Sequence, residues 1–201
     1  QAVIIDLRDQ PLTPHRGVYA ELRAEEGTPA AGGAFAYLRL TPEARAYLPL
    51  GSLVVAGRLR VGGIAGDLPV TQRYFSGGAS NHRGFAERRL APVVTGTVDG
   101  ETRSVVIGGG GLVETGAELR APLGRVRSFD LGGVLFADGG DVTERLRDIE
   151  PAHLHWAVGT GLRVATVIGP VRFDVGYRVN RAAGLSTLDR MAFHLNLGEA
   201  F

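Results

Sequence analysis

Few stretches of this 201-residue sequence carry side chains that could do covalent chemistry, and none is complete. In "GGASNHRG", residues 77–84, Ser80 and His82 lie close together. A serine nucleophile needs a sharp strand-to-helix elbow and a base held by a third group, and neither pattern is present. His153 and His155 are two apart, the spacing of a metal pair on one strand face, but no third ligand accompanies them. They read as interfacial histidines, and no metal is assigned. "IGGGG", residues 107–111, lacks the strand–loop–helix setting of a phosphate cradle and reads as a connector. What remains is charge. In "VRFDVGYRVN", Arg172, Asp174 and Arg178 alternate with Val171, Phe173, Val175, Tyr177 and Val179. Guanidinium and carboxylate groups so arranged make ion pairs and do not turn over a substrate, so the chain is not expected to be an enzyme or to need a cofactor.

Side chains that alternate between charged and apolar belong to strands, whose successive residues point to opposite faces. The period of two recurs in "GVYAELRAE" from Gly17, in "AFAYLRLTPEARAYLPL" from Ala34, in "SLVVAGRLRVGG" from Ser52, in "LVETGAELRAP" from Leu112 and in "HWAVGTGLRVATV" from His155. Short links ("PLGS" at 49–52, "PLGR" at 122–125, "IGP" at 168–170) alternate with longer ones (25–33, 138–153, 180–189). This pattern predicts an all-β fold, a transmembrane antiparallel up-and-down β-barrel of about eight strands. "VIIDLRD", ahead of Gly17, also alternates and reads as a partial strand. One connection, roughly 64–111, is much longer; its "VVTGTVDGETRSVVI" reads as a hairpin about Asp99-Gly100, with two further wall strands as the other possibility.

Composition fits without deciding. All 22 basic residues are arginine, the net charge is +1, and there is no cysteine. Nucleic acid is therefore not the expected partner, and cysteine-ligated metal is excluded. No apolar run approaches a transmembrane helix. Alternation alone leaves a soluble barrel open. The end of the chain, "MAFHLNLGEAF", tips the balance: Phe193, Leu195 and Leu197 share a face and Phe201 is terminal, a pattern that resembles the C-terminal insertion signal of bacterial outer-membrane barrels.

The long loop is more specific. "RYFSGGASNHRGF", residues 73–85, resembles the inward-folded loop of the BamA/TamA superfamily of outer-membrane assembly factors: an aromatic, paired glycines, then Arg-Gly-aromatic. In the same order, "IDLRDQPLTPHRG", "ARAYLPL", "ELRAPL", "VLFADGGDV", "GTGLRVATVIGPVRFDVGY" and "FHLNLGEAF" resemble the second half of the family's barrel. Its first strands and its periplasmic POTRA domains have no counterpart in these residues. His82 departs from the family, in which a small aliphatic residue precedes the Arg-Gly-aromatic unit.

The resemblance implies that Arg83, within Arg83-Gly84-Phe85, reaches acidic side chains on the inner wall, here Glu118 and Asp138, with Gly77, Gly78 and Gly84 letting the backbone approach. Both carboxylates lie on the polar faces of their strands; the alternative is a solvated loop arginine. The other lumenal arginines either neutralise Glu21, Glu43, Glu114 and Asp174 or line an ion path. Eight strands closed on themselves would leave no room for such a loop. The chain is therefore expected to be half of a barrel of about sixteen strands, completed by a missing half or by a second copy. With the C-terminus periplasmic, eight strands put Gly17 on the periplasmic side, which favours the homodimer. The resemblance implies a single domain, 1–201, in the bacterial outer membrane, in contact with lipid and with nascent outer-membrane proteins, acting in their insertion or translocation. A passive pore or structural barrel is the alternative function, and a soluble ligand-binding barrel is a third.

Overall fold

The computed structural model describes residues 1–98, 100–167, 169–180 and 186–201. Among the described residues eleven strands follow one another: β1 Ala2–Asp6, β2 Gly17–Gly27, β3 Tyr37–Leu50, β4 Leu53–Gly66, β5 Val93–Val98, β6 Glu101–Val106, β7 Gly111–Val126, β8 Phe129–Thr143, β9 His155–Val164, β10 Val171–Arg178 and β11 Met191–Leu197. Nine of them form one antiparallel sheet in the order β1-β2-β3-β4-β7-β8-β9-β10-β11, each wall strand beside its neighbour in the chain once β5 and β6 are set aside. The hairpin β5–β6 is its own two-stranded sheet, a decoration of the long loop and not part of the wall. Asp99, at its tip, lies outside the described residues.

The wall has nine strands where alternation from Gly17 onward predicts about eight. The extra one is "AVIID", which pairs with β2 from Ala2↔Arg23 to Asp6↔Tyr19. Among the described residues, β1 and β11 pair on one side only and no ladder joins them.

Turn chemistry corrects two boundaries. "PLGR" is not a turn: it lies within β7, where the register against β8 shifts between Pro122 and Gly124. Proline has no N–H to give a ladder, and a bulge is where a sheet accommodates that. The hairpin turns instead at Arg127-Ser128, with Arg127 left-handed at φ 55°. Likewise "DGGDV" continues β8 to Thr143, since its glycines cost pairing strength but do not stop a ladder. Pro42 sits where the β3–β4 pairing skips from Leu40↔Gly63 to Glu43↔Arg60 without changing register. Gly51-Ser52 turns the β3–β4 hairpin as expected. Ile168 of "IGP" and residues 181–185 of the link at 180–189 lie outside the described residues.

Burial is inverted relative to a water-soluble sheet. Leu59, Leu135, Trp156, Leu162, Phe173 and Leu195 are exposed on one face, whereas Arg58, Glu114, Glu118, Asp138, Arg163, Arg172 and Asp174 are buried on the other. A soluble sheet hides the first set and wets the second. Here hydrocarbon would meet the apolar face and the concave face keeps the charges, the arrangement of a membrane barrel wall.

Candidate functional site

The concave face is occupied by residues 74–90 of the connection between β4 and β7. It enters beside Tyr74, whose hydroxyl donates to the Leu40 carbonyl at 3.1 Å and accepts from Thr41 at 2.6 Å. Ser76 donates to Glu114 at 2.6 Å and bridges by backbone to Leu90, so the loop doubles back as a narrow hairpin. Gly77 and Gly78, at φ 98° and 106°, make that reversal possible. Side chains there would run into Ala86 and Glu87 of the returning segment, so these glycines serve the loop's own turn and not the approach to the wall that the resemblance implied. Close approach belongs to Gly84: a Cβ there would stand 2.5 Å from that of Ala157 on β9.

Arg83 is buried at the tip. Its Nε and Nη2 donate to the two carboxylate oxygens of Asp138 at 2.8 and 2.7 Å, and its backbone N–H donates to Asp138 Oδ2 at 2.9 Å. Nη1 donates to Glu118, and Asp174 stands 4.0 Å away. The guanidinium plane also lies 3.5 Å above the Phe136 ring. Burial alone would lower the proton affinity of Arg83; the bonds to Asp138 and the charges of Asp138, Glu118 and Asp174 outweigh it and hold the group above its ordinary value. A planar fork meeting a carboxylate in two parallel bonds is the arrangement lysine cannot reproduce.

Beyond Arg83, charge balance extends sideways. Arg120 bonds Glu118 at 2.8 Å, Arg163 bonds Asp174 at 2.6 Å and lies 3.3 Å from Glu199, and Arg172 reaches Asp174 at 3.3 Å. Four guanidiniums (Arg83, Arg120, Arg163, Arg172) thus face four carboxylates (Glu118, Asp138, Asp174, Glu199). A second group joins Arg45 and Arg58 to Glu43, and Arg58 and Arg60 to Glu114. Glu21 pairs with Arg23. Glu43, Glu114, Glu118 and Asp174 each meet an arginine of the wall, whereas Asp138 meets Arg83 of the loop.

Several residues at this site have structural roles that the sequence did not assign. Phe136 looks like one more barrel aromatic, yet its even position on β8 turns it inward beneath Arg83. Ser80 receives two wall arginines: Arg58 donates to its carbonyl at 2.5 Å and Arg172 to its hydroxyl at 3.0 Å. His82 is a buried loop clasp. Its Nε2 donates to the His155 carbonyl at 2.8 Å, which leaves Nδ1 to accept from the Gly84 N–H at 3.3 Å. Phe85 packs edge-on against the rings of both His82 and His155. With His194 of β11 donating to the Arg83 carbonyl at 3.1 Å, the loop touches every wall strand from β3 to β11.

The histidine pair does not form on one strand face. His153 lies in the 3-10 turn Pro151–His153, exposed and 2.7 Å from Glu150, while His155 begins β9 and lies 3.6 Å from Asp141. Among the described residues no cluster of three metal-ligating side chains occurs. At the end of the chain, Phe193, Leu195 and Leu197 do share the outward face. Phe201 leaves them: Gly198, left-handed at φ 91°, breaks the alternation after β11, and Phe201 packs inside with Tyr47, Ala56 and Ala200. Its carbonyl accepts from Arg120 at 3.2 Å.

Comparison with known proteins shows the family. The Omp85 superfamily domain matches residues 1–201. The chain belongs to the Omp85 superfamily. Among solved structures it is similar to BamA from Haemophilus ducreyi lacking POTRA domains 1–3, with a TM-score of 0.77 at 18% identity over 98% of this chain. That match covers 40% of the BamA chain, so the present sequence spans less than half of that structure's length. At this identity the likeness is one of fold. Membership of the superfamily implies the bacterial outer membrane by family inference.

Proposed function

We propose that this chain supplies the wall and lumenal loop of an outer-membrane barrel that helps insert or translocate other outer-membrane proteins. In this reading residues 1–201 act as one barrel domain and Arg83, Gly84 and Phe85 form the anchor, with Glu118 and Asp138 as its seat. The observation that carries it is the seated arginine in a member of the Omp85 superfamily: a loop held by buried ion pairs braces a wall whose last strand, among the described residues, pairs on one side only. An edge strand presents free N–H and C=O groups, and an incoming strand can add to it by backbone pairing. β11 is the candidate edge, with outward Phe193, Leu195 and Leu197 matched to the lipid that a client strand must enter. Lipid and nascent outer-membrane proteins are thus the partners. A second copy that closes the wall is the remaining partner of the same chemistry.

The test is a strain whose only copy carries R83A. Folded, membrane-inserted amounts of other barrel proteins should fall while the variant itself is still present in the membrane. Unchanged assembly, both in that strain and on depletion of the wild type, would sink the reading. A planar bilayer in which the purified protein conducts steadily would favour the passive pore instead.

A further inference from the structure

We propose that His194 is a positioning residue that couples the pairing of β11 to the seating of the loop. β11 is held to the wall by its ladder with β10, in which His194 stands opposite Asp174 and Ala192 opposite Gly176. Of its inward side chains, His194 reaches across to the loop, and its Nε2 lies 3.1 Å from the Arg83 carbonyl oxygen. A carbonyl only accepts, so Nε2 carries the proton. Among the described residues this is the one hydrogen bond between the loop and β11. Beside it is a cleft of about 500 Å³, lined by Phe85 and Arg89 on one side and Phe193 and His194 on the other.

The same Arg83 is fixed through its side chain to Asp138 on β8 and Glu118 on β7. A line of contacts therefore runs from β11 through His194 and the Arg83 backbone to the acidic wall, bypassing β9 and β10. Gly176 makes room for it: a Cβ on that residue would collide with the Arg83 carbonyl that His194 binds. Peeling β11 from β10 must break the His194 bond, and unseating Arg83 withdraws the carbonyl from His194. Each event lowers the cost of the other, and the coupling is reciprocal.

This deepens the assembly reading, but its test involves no client protein, so the two can fail separately. The experiment is amide hydrogen exchange of the purified full chain in detergent, read at residues 82–86 and 191–197. Asp138→Asn, which loosens the Arg83 seat, should speed exchange of both segments in the wild-type background by about fivefold or more. In the H194A background it should speed only residues 82–86. H194Q, whose side-chain amide can still donate to the carbonyl, should restore the response of β11. Glu118→Gln serves as the loosening variant should Asp138→Asn fail to fold. An equal response of β11 in the wild-type and H194A backgrounds, no response in the wild type, or H194Q behaving as H194A would each overturn the proposal.

Discussion

At the scale of single residues, Arg83 carries the largest consequence. Removing it leaves Asp138 and Glu118 charged, buried and short of partners, and breaking such a pair costs about 3–5 kcal/mol. R83A is therefore expected to lower the thermal midpoint and to open the loop to trypsin at the exposed Arg88 and Arg89. R83K keeps the charge but loses the fork on Asp138 and the contact with Phe136, and should recover only part of the protection. His82 gives a pH dependence. Burial holds its proton affinity below the ordinary value of 6.5, against the bond to the His155 carbonyl and the charges of Asp138 and Glu114, and the charge of the His155 ring adds to the lowering. Since the folded ring binds a proton less readily than the unfolded one, stability is full above that value and is lost as pH falls below it. Protonation would also put a hydrogen on Nδ1, facing the Gly84 N–H donor. Trypsin cleavage of the loop should rise between about pH 7.5 and about pH 5.5, and the rise should flatten in H82Q.

At the scale of elements, the two faces of each strand make opposite demands. Leu135, exposed on β8, sits between Val134 and Phe136, both buried. Leu135→Arg puts a charge toward lipid and should cost about 2–4 kcal/mol if that residue lies near mid-membrane, read as a lower midpoint of urea unfolding in lipid vesicles. On β10, Gly176→Ala places a methyl against the Arg83 carbonyl, so the turn at 82–84 must shift while the ladder survives. The expected signature is faster exchange at residues 82–86 and, because the displaced carbonyl leaves His194, at residues 191–197. The strands themselves were legible because a period of two is written directly in residue types: Arg172, Phe173, Asp174 and Val175 assign their own faces. Boundaries were less legible. "PLGR" has turn composition, yet a bulge absorbs Pro122 and Gly124 because β8 is long enough to continue the pairing. Phe136, His82 and His194 could not be assigned partners, since each depends on which residues of distant strands share a level in the wall, and register is a tertiary property. Arg83, Glu118 and Asp138 were nominated through an ordered resemblance; periodicity alone supplied only the polar face on which the two carboxylates stand.

For the whole molecule, the organising fact is a curved sheet with its charges inside and its apolar residues outside, braced by one loop that reaches every wall strand from β3 to β11. The brace explains why so many ionisable groups tolerate burial: each carboxylate of the cluster meets an arginine from a neighbouring strand or from the loop. The sheet's two end strands, β1 and β11, keep one unpaired side each among the described residues. In a bilayer such edges must be satisfied by further strands, because backbone groups facing hydrocarbon without partners cost several kcal/mol each. The inside-out assignment can be measured directly. The sequence has no cysteine, so single cysteines can be placed at will. In lipid vesicles, cysteines replacing Leu59, Leu135, Phe173 and Leu195 should be reached by a lipid-dissolved quencher attached to the acyl chains, and those replacing Thr41, Ser76 and Ala157 should not. Quenching of the second set with sparing of the first would turn the wall inside out and contradict the account.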